Sequence, residues 1–172
     1  MPTIEAEFLR YSGQKLDQLC GRIETCLDLL TIEQIWTRGG ENQNAIGNLV
    51  LHLAGNVAQW ILYGVGGQED NRVRDIEFST RDRLSAASLK QHLRPTVNQA
   101  VALFPSVSAQ QLMERLNIQA YDNVTKLEAI YHVVEHFSGH TGQIIFLTKW
   151  LTSKDLGFYA HLNNKSHTET VP

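Results

Sequence analysis

Apolar residues recur at helical spacing through four stretches of roughly twenty residues or more, and no comparably long stretch alternates as a strand would. That pattern restricts the chain to helices packed on helices. The first stretch runs from Ile4 to Leu30, with Phe8, Leu16, Leu19, Ile23, Leu27 and Leu30 as its apolar stripe. The second covers Asn44 to Tyr63. The third covers Asp82 to Phe104, with Pro95 expected to kink or weaken it. The fourth runs from Val124 to Leu151. Together they predict an all-α fold, a four-helix bundle over residues 1–162, with the polar end 163–172 as a flexible tail.

The connections refine the topology. "TRGGENQN" is short, which favours an antiparallel pair of helices one and two. "GVGGQEDNRVRDIEFSTR" and "PSVSAQQLMERLNIQAYDN" are long. Loops of that length are functional or cross the bundle. The later one has room for a short helix or an extended piece. A bundle with long crossings, the first between helices two and three, is therefore expected in place of simple up-down-up-down order.

The remaining composition excludes several classes. At 172 residues and 42% hydrophobic content the chain has the size and core of one globular domain. No run approaches the roughly 18 uncharged apolar residues of a membrane span. The start "MPTIEAEFLR" is acidic and carries no secretory pattern, so a cytoplasmic protein with no membrane partner is expected. Net charge is −3 and no lysine- or arginine-rich block occurs, which argues against nucleic acid. Cys20 and Cys26 lie six residues apart on one helix, about 9 Å between Cα atoms, too far for a disulfide. Two buried thiols are expected.

The chemistry lies in "HVVEHFSGH", where His132, His136 and His140 stand four residues apart. Each helical residue rotates by about 100°. On that projection Ile130, Val133, Val134, Phe137, Ile144, Leu147 and Leu151 form the apolar arc. His136 and His140 lie on its margin, His132 lies outside it, and Glu135 points away from the core. His132 and His140 are separated by a rise of about 12 Å, so one ion cannot bridge them. The inward pair is His136 with His140. A His pair at this spacing grips metal in zinc proteases, but here the glutamate precedes the pair, so the protease general base is missing. The same spacing also occurs in helices that bind nothing.

A third ligand must come from another helix. In "NLVLHLAGNVAQW", His52 lies beside the apolar arc, with Asn56 and Tyr63 nearly in line. His92 on helix three competes for the role. For His161 and His167 a surface or cap position is expected. Gly139 and Gly142 flank His140 despite poor helix propensity. Their readings are loose packing or close approach by a neighbour or ligand. Asn56 and Gln143 are candidate outer-layer or substrate-orienting groups, with a helix-contact hydrogen bond as the plain alternative. His132 is a neighbour that supports or merely flanks the pair. Arg72 and Arg74 are candidate anion contacts or a solvated cluster. Exposed Trp or Phe residues near helix ends offer a dimer face.

"NAIGNLVLHLAGNVAQWI" together with "HVVEHFSGHTGQI" resembles the DinB and YfiT-like superfamily, most of all its subgroup of unknown function. "RVRDIEF" and "DLGFYAHL" also look like subgroup features. The resemblance implies a four-helix bundle with a long crossing between helices two and three, often dimeric. It implies metal ligands His52, His136 and His140, and a divalent ion that in relatives is nickel, zinc, iron or manganese. Relatives include transferases using low-molecular-weight thiols such as bacillithiol or mycothiol, and hydrolases. Many carry an arginine before the G-Q dipeptide, where this chain has Thr141. The expected function is a metal-dependent enzyme acting on a small-molecule substrate by activating a thiol or water. Arg72 and Arg74 would then meet a carboxylate of the thiol. The alternatives are a hydrolase or a non-enzymatic metal-binding stress-response protein.

Overall fold

The computed structural model describes residues 1–81, 83–163 and 171–172. Four long helices carry the fold: α1 (Ile4–Asp28), α3 (Ile46–Val57), α5 (Ala86–Leu103) and α7 (Lys126–Thr152). Between them lie the short helices α2 (Ile32–Ile35), α4 (Arg74–Ser79) and α6 (Ala109–Leu112), and a hairpin of β1 (Arg115–Ile118) and β2 (Tyr121–Thr125). Beyond Val57, α3 continues as a π-helical segment, Ala58–Val65. Such widened turns cluster at functional sites.

Local chemistry sets the ends. Thr125 caps α7, and Glu128 returns the bond to close a capping box. The helix therefore starts at Lys126, and Val124, where the periodicity places the start, belongs to β2. Ser85 caps α5, so that helix begins at Ala86. Asp82, its expected start, lies outside the described residues. α5 runs through Pro95 without interruption.

α1 packs against α5 and α7, and α3 packs against the same two helices. The chain-adjacent pair α1 and α3 is thus diagonal: the two run antiparallel, as the short connection predicts, but do not pack side by side. The link between them includes α2, whose buried Ile35 packs into the core. Contacts fix the directions. Glu24 meets Arg94 and Asp28 meets Lys90, so α1 and α5 are antiparallel. His52 meets His136 and Trp60 meets His132, so α3 and α7 are antiparallel. A Cβ on Gly66 would touch Leu103, while Leu51 and His92 line one cleft, so α3 and α5 run parallel. A parallel pair needs a return crossing, and residues 66–85 provide it with α4 embedded.

The second long connection contains both elements it has room for, the short helix α6 and an extended piece that folds as a hairpin, while the fold stays all-α. The hairpin strands, of four and five residues, are too short to show alternation, and Gln119 and Asn123 at positive φ turn and bend the hairpin. The core runs the length of the bundle, with Leu16, Ile23, Leu53, Ile61, Leu93, Ile130 and Phe137 fully buried. Cys20 and Cys26 are buried and unpaired, as expected. Of the tail, residues 164–170, with His167, lie outside the described residues. Val171 O accepts a hydrogen bond from Gln18 Nε2 at 2.7 Å, which ties the chain end to α1. Among the described residues no helix is long and apolar enough to cross a membrane.

Candidate metal centre

His52 is carried on the buried face of α3, and His136 and His140 on adjacent turns of α7. Because the two helices are antiparallel, the polar edges inferred from the projection meet. His52 Nε2 and His136 Nε2 are 3.1 Å apart. The His140 ring centre lies 4.5 Å from that of His136 and 5.3 Å from that of His52. One nitrogen from each of the three falls within 4.8 Å of the others. The trio chosen from angular position is the trio the fold brings together.

The other histidines stand apart. His132 stacks on Trp60, ring centres 4.3 Å apart, and reaches His136 only ring to ring at 5.5 Å. His92 is exposed on α5 beside Thr96, and His161 belongs to a short turn near the C-terminus. Neither joins the group.

Proton placement follows from the partners. His52 Nδ1 lies 2.9 Å from Glu77 Oε2 and 3.1 Å from Arg72 Nη2. A carboxylate only accepts and a guanidinium only donates, so Nδ1 cannot satisfy both. Arg72 Nη2 already donates to Glu77 Oε2 at 2.8 Å, so the His52 proton sits on Nδ1 and the Nε2 lone pair faces His136. His140 Nδ1 donates to Gln143 Oε1 at 2.8 Å, which frees its Nε2 in the same way. Burial, reinforced by repulsion from His140, His52, His132 and Arg72, pushes His136 down to about 3. Burial also lowers His140, against the opposing pull of Gln143, and lowers His132. These imidazoles are neutral at physiological pH, the state a metal ligand requires.

A layer behind the histidines holds His52 in place. Arg72 Nε donates to Glu77 Oε1 at 2.7 Å and Nη1 to Gln59 Oε1 at 2.8 Å. Gln59 donates to Asp70 and accepts from Gln119 at the hairpin tip. Burial by itself would raise the Glu77 carboxyl. The hydrogen bonds from Arg72 and His52 and their charge outweigh it, and the group lies below its usual value. Asn48, fully buried, donates to the Glu77 carbonyl at 2.8 Å and pins α4 onto α3. Gly55 makes the approach possible: a Cβ there would fall on Glu77 Oε1 and stand 2.9 Å from Arg72 Nε. Phe78 closes the other side, 4.6 Å from the His52 ring.

Arg72 is therefore neither a solvated charge nor a free anion contact. Its side chain is 3% exposed, and its Nε, Nη1 and Nη2 are engaged by Glu77 and Gln59. Arg74 stands over the Phe78 ring at 4.8 Å. Gln143 bonds His140, whereas Asn56 is buried on α3 with Oδ1 unpartnered among the described residues, as are Trp60 Nε1 and His136 Nδ1. Glu77 and Gln59 escape the sequence reading. The available signal was Gly55, a glycine inside a helix three residues after His52.

The donor set fits a divalent cation. Two nitrogens about 2.0–2.1 Å from a tetrahedral ion stand roughly 3.3 Å apart, close to the 3.1 Å between His52 and His136. Three imidazoles, two with their outer Nδ1–H held by an acceptor, match how histidines hold metals.

A protein-family profile described as "Protein of unknown function (DUF1572)" matches residues 3–162. A crystal structure of a conserved protein from Enterococcus faecalis superimposes with a TM-score of 0.67 at 15% identity, covering 83% of this chain and 96% of that one. At that identity the likeness is one of fold. No curated protein matches the chain.

Proposed function

The chain belongs to the DUF1572 family of proteins of unknown function, and we propose that it is a metal-dependent enzyme with His52, His136 and His140 as ligands. The convergence of the three nitrogens within 4.8 Å carries this reading. A divalent cation bound there lowers the pKa of a thiol or water and so supplies a nucleophile near neutral pH. Three protein ligands, with no fourth His, Cys, Asp or Glu in the group among the described residues, suit an open reactive site better than a closed structural one.

The chain's own residues orient and insulate. Glu77 accepts the Nδ1 proton of His52 and fixes the ring, while Arg72 holds Glu77. Gln143 does the same for His140. His132 and Trp60 form an aromatic wall beside the pair. The reaction class we favour is transfer of a low-molecular-weight thiol to a small electrophile in the cytoplasm. The motif likeness to the DinB and YfiT-like superfamily supports that choice, with residues 1–162 as one functional unit. Nickel, zinc, iron and manganese are the ions to supply.

Metal analysis of tag-free protein grown with each ion tests the reading. One divalent ion per chain is expected, falling to background in His52→Ala and His136→Ala. Conjugation of a model electrophile should then need both the loaded ion and added thiol. Turnover that needs the ion but no thiol would replace the transferase with a hydrolase. Absence of a stoichiometric ion under every supply would overturn the metal reading itself.

A further inference from the structure

Two guanidinium groups converge on one backbone carbonyl beside the candidate metal centre. Arg38 Nη2 donates to Phe78 O at 3.1 Å and to Asn48 Oδ1 at 2.6 Å. Arg81 Nη1 donates to the same Phe78 O at 2.8 Å and to Thr80 O at 2.9 Å. Neither arginine takes part in a salt bridge among the described residues. Like charges drawn to one acceptor repel each other, and no ion pair among the described residues offsets that repulsion. Burial and the Arg81 charge both push Arg38 below its ordinary value. A third cation, Arg74, stands 4.8 Å over the ring of the same Phe78.

Most donors of the pair are unspent. The bonds above use Arg38 Nη2 and Arg81 Nη1 and leave the other two nitrogens of each guanidinium without an acceptor among the described residues. On Arg81 the remainder is a whole Nε–Nη2 edge, the same edge by which Arg72 grips both oxygens of Glu77. Such an edge takes a carboxylate or a phosphate with two parallel bonds. Charge decides between them. A carboxylate brings one negative charge and is served by one arginine. A phosphate monoester brings about −1.5 to −2 near neutral pH and matches the pair. The frame is firm on one side and open on the other. Arg38 is half-buried and held by fully buried Asn48, which also takes the carbonyls of Glu77 and Thr80, whereas Arg81 is exposed to arriving solute.

We propose that Arg38 and Arg81 form a phosphate-binding site that takes the terminal phosphate group of a small molecule. Its place in the fold gives it a role. Phe78 offers its carbonyl to both guanidiniums and sets its ring 4.6 Å from the His52 ring. A phosphate held there lies one residue's width from His52, close enough to anchor one end of a molecule whose other end meets the ion. That the anchored molecule is the one acted on at the metal centre rests on the functional reading above; the phosphate site itself needs no metal.

Isothermal titration of the chelator-treated full chain with inorganic phosphate, at constant ionic strength, tests the site. One phosphate per chain is expected, with acetate binding about tenfold more weakly or worse. Arg81→Gln, at an exposed position, should keep the urea midpoint and weaken phosphate by about tenfold or more. Arg38→Lys keeps the charge without the planar fork and should weaken it as well. Methyl phosphate should bind as tightly as the free ion, because the site takes the end of a larger molecule. No saturable binding by the folded wild type, binding unchanged in Arg81→Gln, acetate as tight as phosphate, or refusal of methyl phosphate overturns the proposal. In manganese-loaded protein freed of excess ion, the phosphorus NMR signal of methyl phosphate should broaden, and the broadening should vanish in Arg81→Gln. Binding without broadening overturns the link to the metal centre. A chain that takes up no manganese or other ion overturns the metal reading and leaves the phosphate titration standing.

Discussion

Glu77→Gln separates what the buried acid does for the metal site from what it does for the fold. In the native site Oε2 accepts from His52 Nδ1 at 2.9 Å and from Arg72 Nη2 at 2.8 Å, and Oε1 accepts from Arg72 Nε at 2.7 Å. A glutamine of the same shape has one acceptor oxygen. Its favoured orientation keeps that oxygen toward His52 and Nη2, which turns an amide NH2 against Nε–H. The His52 bond loses its charge assistance, and such bonds are roughly twice as strong as neutral ones. Removing an outer-layer partner of this kind lowers metal affinity by about 10- to 100-fold, or ~1.4–2.8 kcal/mol. The fold loses separately, because Arg72 is left buried without a counter-charge, and breaking a buried pair costs about 3–5 kcal/mol. Adding Arg72→Met removes the stranded charge and should recover much of the apo stability without recovering affinity. Competition against a fluorescent zinc chelator gives the affinity, and urea unfolding of the apo protein gives the stability. Affinity within threefold of wild type in Glu77→Gln would refute the claim that Glu77 sets the His52 ring.

Other outcomes follow from the same geometry. Gly55→Ala places a methyl against Glu77 and Arg72; overpacking should cost about 1–3 kcal/mol in urea unfolding and weaken metal binding in parallel with Glu77→Gln. His132→Ala should keep one ion per chain by elemental analysis, because that ring packs on Trp60, and its loss should cost about 1 kcal/mol of stability. The apo protein should lose stability as pH falls below the ordinary imidazole range of about 6.5 toward the depressed value of His136, about 3. There the unfolded chain binds protons that the folded chain refuses, so stability rises with pH through that window. Urea midpoints at pH 7.5 and 5 will show it. Burial pushes the Cys20 thiol up to about 12, so iodoacetamide at pH 8 should label it slowly in the native chain and readily in guanidinium.

The bundle and its three histidines are legible in the sequence because both rest on a 100° rotation that long helices obey. α1, α5 and α7 begin and end within four residues of where periodicity puts them, and α3 does so once its π-helical continuation to Val65 is counted with it. The parts that are not legible are those where another rule takes over. The hairpin strands are shorter than the window in which alternation can be counted. Gln59 is a different case: seven residues after His52, it falls within about 20° of it on a 100° rotation, so the projection places it on the same edge, but only the structure shows its tie to Arg72. Neighbour order fails because chain adjacency is a weak guide once α2 carries the link across the bundle end. Glu77 escapes because its role depends on a loop folding back, and no local pattern encodes that return.

That return has a topological cause. α3 and α5 run parallel, so the chain must travel the length of the bundle between them, and residues 66–85 make the journey. Twenty-odd residues crossing a bundle could lie anywhere on its surface. Here Asn48 takes the carbonyls of Glu77 and Thr80, Arg38 takes that of Phe78, and Gly55 leaves the hollow into which the Glu77 carboxylate and Arg72 descend. The crossing is therefore fastened to α3 along the turns that carry His52. A connection demanded by helix direction also delivers the acid that orients a ligand, so the long loop both crosses the bundle and serves the site. Trimming it to the shortest link that still spans the bundle would leave the four-helix core its packing while His52 lost the partner that fixes its proton.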